Sequence, residues 1–251
     1  MAKQTGIIKL KGTIGGISFY KTSDGHLARE KGGVDASRIK NDPAFQRTRE
    51  NGAEFGAAGK GGKIIRNAIR ILLQNAKDKR VVSRLTTDLL KVVKTDATND
   101  RGLRTIEAGN MSLLQGFEFN ANGKLGSTLF APSANAFDRV TGEATVSIAG
   151  FAPTVRIAAP AGTTHFKVVT GATELDFAAE TSTFENAETA ILPYDSAITA
   201  AIDLAATITA NSTLPVIQVL GIEFYQEVNG QMYPLKNGAY NALSVVKVDT
   251  V

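Results

Sequence analysis

The chain contains no cysteine and no tryptophan, and histidine occurs only twice. Disulfides, thiolate metal centres and cysteine nucleophiles are therefore excluded, and so is a histidine-rich metal site. No apolar run approaches the roughly 18 residues that a membrane-spanning helix needs. The opening Met1-Ala2-Lys3-Gln4-Thr5-Gly6-Ile7-Ile8-Lys9 is charged but lacks the apolar stretch of a secretory signal. A cytoplasmic or virion location without a signal peptide and without a membrane span is the expectation. What is present is ordinary for a folded chain: 251 residues, 43% hydrophobic and 21% charged. Such a balance excludes a wholly disordered chain and suits one large domain or two modest ones.

Charge is distributed unevenly. Residues 1–105 hold 22 Lys+Arg against 10 Asp+Glu, a surplus of +12, whereas residues 106–251 hold 6 against 14, a deficit of −8. A basic half of this kind meets an external polyanion, or the acidic half of a neighbouring copy, or only solvent.

Three regions follow from composition and periodicity. In residues 1–33, Gly6–Gly12 and Gly15–Lys21 are short and β-prone, and Asp24-Gly25 is a hairpin turn signal. A small β-hairpin or meander is expected there, marginal unless it packs on its own chain or a neighbour. Residues 34–116 read as helical. Asp42 as N-cap before Pro43 opens a helix over 44–58, and Gly59, Gly61 and Gly62 are expected to break it. Ile64, Ile65, Ala68, Ile69, Leu72 and Leu73 form an apolar face at helical spacing. Further helices are expected over 79–94 and 103–114. Residues 117–251 read as β, with strands at 117–120, 144–148, 155–158, 165–170, 216–228 and 243–248. Turn signals separate them, among them Asn122-Gly123, Asn229-Gly230 and Asn237-Gly238. Residues 198–210 fit either a strand or a short helix. The predicted fold class is α+β: an N-terminal β-hairpin arm, a helical middle and a C-terminal antiparallel β-sandwich, immunoglobulin-like or jelly-roll-like.

The search for chemistry finds little. Gly56-Ala57-Ala58-Gly59-Lys60-Gly61-Gly62-Lys63 has the glycine density of a phosphate loop, but no Ser or Thr follows either lysine. Its alternative reading is a helix break or close helix packing through small residues. His26 and His165 have no suggestive neighbours, and no G-x-S-x-G elbow is present. Glu174 and Asp176 read as a solvated strand face. No enzyme activity, cofactor or metal is expected.

Lys60, Lys63, Arg66, Arg70, Lys77, Lys79, Arg80 and Arg84 cluster on and between two helices. Phosphate binding needs only such charge, but aromatics for base stacking and any nucleic-acid-binding signature are missing. The glycine-rich arm is suited to adding strands to another subunit, with Ile7, Ile8, Leu10, Ile14, Ile17, Phe19 and Tyr20 as its contact residues.

The segment Lys11-Gly12-Thr13-Ile14-Gly15-Gly16-Ile17-Ser18-Phe19-Tyr20-Lys21, the helix start Asp42-Pro43-Ala44-Phe45-Gln46-Arg47-Thr48-Arg49-Glu50-Asn51 and the C-terminal Gly221–Glu227 and Tyr233–Asn241 stretches resemble a family of uncharacterised bacterial and phage-borne proteins. The resemblance implies no catalytic residues. The expected function is that of a structural subunit whose partners are copies of itself, in a filament, tube, shell or virion. Nucleic-acid association through the basic helices around 60–84 is the alternative.

Overall fold

The chain divides into two units in its computed structural model, Met1–Arg49 and a second beginning at Glu50, and residues 1–250 are described. The strands, in chain order, are β1 (Ala2–Lys3), β2 (Gly12–Ile14), β3 (Ile17–Thr22) and β4 (Gly25–Glu30) in the first unit. In the second they are β5 (Ser133–Asp138), β6 (Glu143–Ile148), β7 (His165–Asp176), β8 (Thr181–Glu188), β9 (Leu192–Pro193), β10 (Ile202–Thr207), β11 (Val216–Val228), β12 (Gln231–Pro234) and β13 (Ala242–Asp249). The main helices are α1 (Ala36–Asn41), α2 (Gln46–Ala68), α3 (Arg70–Asn75) and α4 (Val81–Lys94).

In the first unit the strands form an antiparallel sheet in the order β1-β4-β3-β2. The Asp24-Gly25 turn closes β3 onto β4, with Gly25 at a φ of +109° that a side chain would resist. Residues 6–10, expected as a strand, instead form the connection between β1 and β2. The cause is Gln4. Its side-chain oxygen accepts from Leu10 N at 2.9 Å and its amide donates to Leu27 O at 3.0 Å, so a side chain replaces a ladder partner and the loop turns outward. Beyond the sheet, Asp35 caps α1 by accepting from Ser37 N at 2.8 Å. Asp42 accepts from Ala44 N at 2.9 Å, opening the turn at Pro43 that leads into α2.

The long helix contradicts the expected break at Gly59, Gly61 and Gly62, because α2 runs through all three. Each glycine costs about 1 kcal/mol of helix propensity relative to alanine. Packing gives the reason for Gly61, where a Cβ would stand 2.1 Å from Ile106 Cδ1 and 3.2 Å from the Phe177 ring. The absent side chain lets the loop at Ile106 lie against the backbone. The chain bends at Ile69, where the φ of −89° and ψ of 21° separate α2 from α3. The helix expected over 103–114 is reduced to one 3-10 turn, Met111–Leu114.

The second unit has three layers. Its central sheet holds β11 paired with β7 on one side and with β12 and β13 on the other, while β8 and β9 pair with β7. All pairs are antiparallel. Along β11, Ile217 and Val219 face a helical layer containing Ile65, Leu72, Leu85, Leu89 and Val92. Leu220, Ile222 and Phe224 face the other way, with Phe166 and Val168, against Val146, Ile148 and Ile202 of a second sheet in the order β10-β6-β5. Strands covered on both faces read as continuous apolar runs, as Val216–Ile222 does. The spacing 81, 85, 89, 92 and 93 gives α4 one buried stripe. The fold class is α+β, with a C-terminal sandwich whose large sheet curls to bring β8 beside β10.

Two local expectations are corrected and one open alternative is resolved. Pro153 starts a helical turn, Pro153–Arg156, where a strand at 155–158 was expected. The undecided 198–210 stretch contains β10. Glu174 is buried, not solvated, since β7 lies between two layers. Residues 117–120 bond along the free edge of β13, with Phe119 N to Leu243 O at 2.8 Å and Val245 N to Phe117 O at 3.0 Å. Among the described residues, no helix is long and apolar enough to cross a membrane.

Candidate interaction surfaces

The register of the first unit's sheet gathers an apolar patch on one face. Ile17 opposes Glu30 and Ile14, Phe19 opposes Ala28 and Gly12, and Ala2 opposes Ala28. One face therefore carries Ile14, Ile17, Phe19, Ala28 and Ala2, rimmed by Glu30 beside Ile17 and by Lys21 and His26 toward the turn. The other carries Thr13, Ser18, Tyr20, Leu27 and Arg29, with the Arg29 guanidinium 5.4 Å from the centre of the Tyr20 ring. No residue from Met1 to Arg49 is buried. Ile7, Ile8, Leu10, Ile14 and Ile17 are all exposed, while Phe19 and Tyr20 are half-buried. A sheet without any enclosed side chain falls short of what a small sheet needs for stability.

The eight basic residues do not share one role. Arg84 turns inward: it pairs with Asp78, donates to Glu118 O at 2.6 Å and lies 5.2 Å from the centre of the Phe117 ring. It clamps the start of α4 to the 117–119 segment. Arg66 is half-buried against α4, and burial lowers its guanidinium from the ordinary value. Lys60 pairs with Glu180 at 3.5 Å in the turn between β7 and β8. Lys63, Arg70, Lys77, Lys79 and Arg80 are exposed. Replacing Arg84 with alanine is expected to cost about 1.5–3 kcal/mol, the range for hydrogen bonds to a charged group. Alanine at Lys63, Arg70 or Lys79 should stay within about 0.5 kcal/mol. Urea denaturation of the four variants checks this contrast.

Two concavities flank Lys60. One of about 310 Å³ is lined by Lys60, Ile64, Arg104, Glu107 and Phe177, the other of about 240 Å³ by Lys60, Lys63, Asn67 and Ser182, with Glu180 in both. Lysine, arginine and glutamate alternate there, so neither is an anion cradle of one sign. A third concavity, of about 350 Å³, lies along residues 189–204. Its walls are largely aliphatic.

A polar cluster that the sequence reading missed centres on Glu223. This buried carboxylate accepts from Asn75 Nδ2 at 2.8 Å and from the Tyr225 hydroxyl at 2.6 Å. Burial, with the Glu223 charge beside it, pushes the Tyr225 phenol above its usual range. Lys167 pairs with Glu188 at 2.9 Å nearby on the sheet, 5.9 Å from the Tyr225 ring. Its signal in the sequence was Glu223 and Tyr225 at strand spacing within an apolar run. Asn75, 148 positions away, gave none. The cluster joins the end of α3 to β11, and its groups are already paired with one another.

These features define a three-layer α+β unit preceded by a basic four-stranded sheet with an exposed apolar patch. No protein-family model, curated protein or solved structure matches the chain.

Proposed function

We propose that the protein is a structural subunit that assembles with copies of itself, using residues 1–33 as an arm. One observation carries the reading: the arm's sheet presents Ile14, Ile17 and Phe19 on one face and has no buried residue. Contact with another subunit supplies the burial that this face lacks. Charge supports a second copy as the partner. Residues 1–49 hold ten Lys+Arg and four Asp+Glu, and residues 117–251 hold six and thirteen. The exposed Lys63, Arg70, Lys77, Lys79 and Arg80 add basic surface for the same acidic partner.

Hydrogen exchange followed by mass spectrometry tests the role of the arm. Amides of β3 and β4 are expected to exchange quickly in dilute protein and to gain protection as the concentration rises into the assembling range. Polymers that form with those amides still fast would remove the arm from the interface. The exposed cations favour a second reading, phosphate binding to nucleic acid. It requires binding that weakens steeply with salt.

A further inference from the structure

The acidic and basic segments of the chain are more sharply separated than its halves. Residues 1–23 contain four lysines and no Asp or Glu, whereas residues 168–235 contain nine Asp+Glu and no Lys or Arg. Each segment carries an exposed apolar feature, in the first a separate one from the Ile14, Ile17 and Phe19 sheet face. In the first it is convex: Ile7 and Ile8, 102% and 81% exposed, form the tip of the β1–β2 loop. The base of that loop is held by Gln4, which binds Leu10 N at 2.9 Å, and by Lys9 Nζ on Gln4 O at 2.5 Å. In the second segment the feature is concave: the hollow of about 350 Å³, with Leu192, Pro193, Ile198 and Leu204 in its walls and Asp195 and Asp203 in its lining.

We infer that the Ile7–Ile8 tip of one copy seats in the 189–204 hollow of a second copy, with Lys9 and Lys11 set against Asp195 and Asp203. This inference rests on the assembly reading above and names the contact. Burial of two adjacent aliphatic side chains supplies the attraction, and the opposed charges select the partner and its orientation. Gln4 holds the tip in place before binding, which reduces the ordering cost of association. Tip and hollow are different surfaces, so the contact is head-to-tail. Repeated, it closes into a ring or extends as a filament.

The experiment uses full-length protein in sedimentation velocity over a concentration series. The tip variant is Ile7→Asp with Ile8→Asp, and the hollow variants are Ala200→Arg and, separately, Asp203→Lys. All of these positions are exposed, and circular dichroism verifies folding. Each variant alone is expected to need about 30-fold more protein to assemble than the wild type. A 1:1 mixture of the tip variant with Ala200→Arg is expected to stop at dimers, because one intact tip and one intact hollow remain. A tip variant that assembles like the wild type overturns this contact and leaves the assembly reading standing. The same holds if the mixture stays monomeric. If the wild type is monomeric throughout, both fall. Vesicles containing anionic lipid that bind the wild type but not the tip variant, with assembly unaffected, would assign the tip to a lipid surface and overturn the inference.

Discussion

Deletion of residues 1–33 is expected to abolish assembly while leaving the thermal unfolding of the remaining chain unchanged. The two halves of this result have separate origins. Every buried hydrophobic side chain lies at Ala58 or beyond. The arm therefore encloses no apolar side chain of its own, and its loss is expected to remove little of the burial that opposes chain entropy. The same arm holds Ile7, Ile8, Ile14 and Ile17, all exposed large aliphatics. In the proposed assembly their burial comes from contact between subunits. Sedimentation and circular dichroism melting on the truncated protein check the two halves independently. Normal polymers would remove the arm from assembly. A large drop in melting temperature would give it a part in the core.

Phe166→Ala is expected to cost about 3–5 kcal/mol, the usual range for removing a fully buried phenylalanine. For a unit of this size that corresponds to roughly 6–20 °C in melting temperature. Phe166 is fully buried between the two sheets, with its ring centre 6.3 Å from that of Phe151. The effect should not stay in the sandwich. β7 also sends Val169 and Leu175 into the helical core, so both cores share one central sheet. Helix and strand signals are expected to fall together, at the same lowered temperature. A helical signal that still melts at the wild-type temperature would contradict the three-layer arrangement.

The elements that could be read from the sequence are those where local and tertiary demands agree. β11 matches its expected bounds, Val216–Val228, because Pro215 precedes a long apolar run and Asn229-Gly230 follows it. Both turn residues take positive φ, 52° and 76°, as a tight hairpin needs. α4 was visible through its single apolar stripe. The failures have tertiary causes. The glycines of α2 look like breakers in isolation, and only the approach of Ile106 shows why one of them is tolerated inside a helix. Glu174 alternates like a solvated residue, but the helical layer on one face and the small sheet on the other leave β7 no wet face.

Of the candidate site, charge asymmetry and the apolar arm residues were legible, and the fate of each cation was not. Arg84 resembles its neighbours in sequence. It serves as an internal clamp because Asp78 and the carbonyl of Glu118 stand where its guanidinium reaches. The hollow along 189–204 had no sequence signature, since its lining is mostly small and aliphatic residues in a loop whose path is set by β9 and β10.

The most direct test of self-assembly is electron microscopy of purified, untagged, nuclease-treated protein at micromolar concentration. Regular filaments, rings, tubes or shells are the predicted result, formed without nucleic acid. Only small monodisperse particles would contradict the account and turn attention to salt-dependent nucleic-acid binding by the exposed cations of the helical layer.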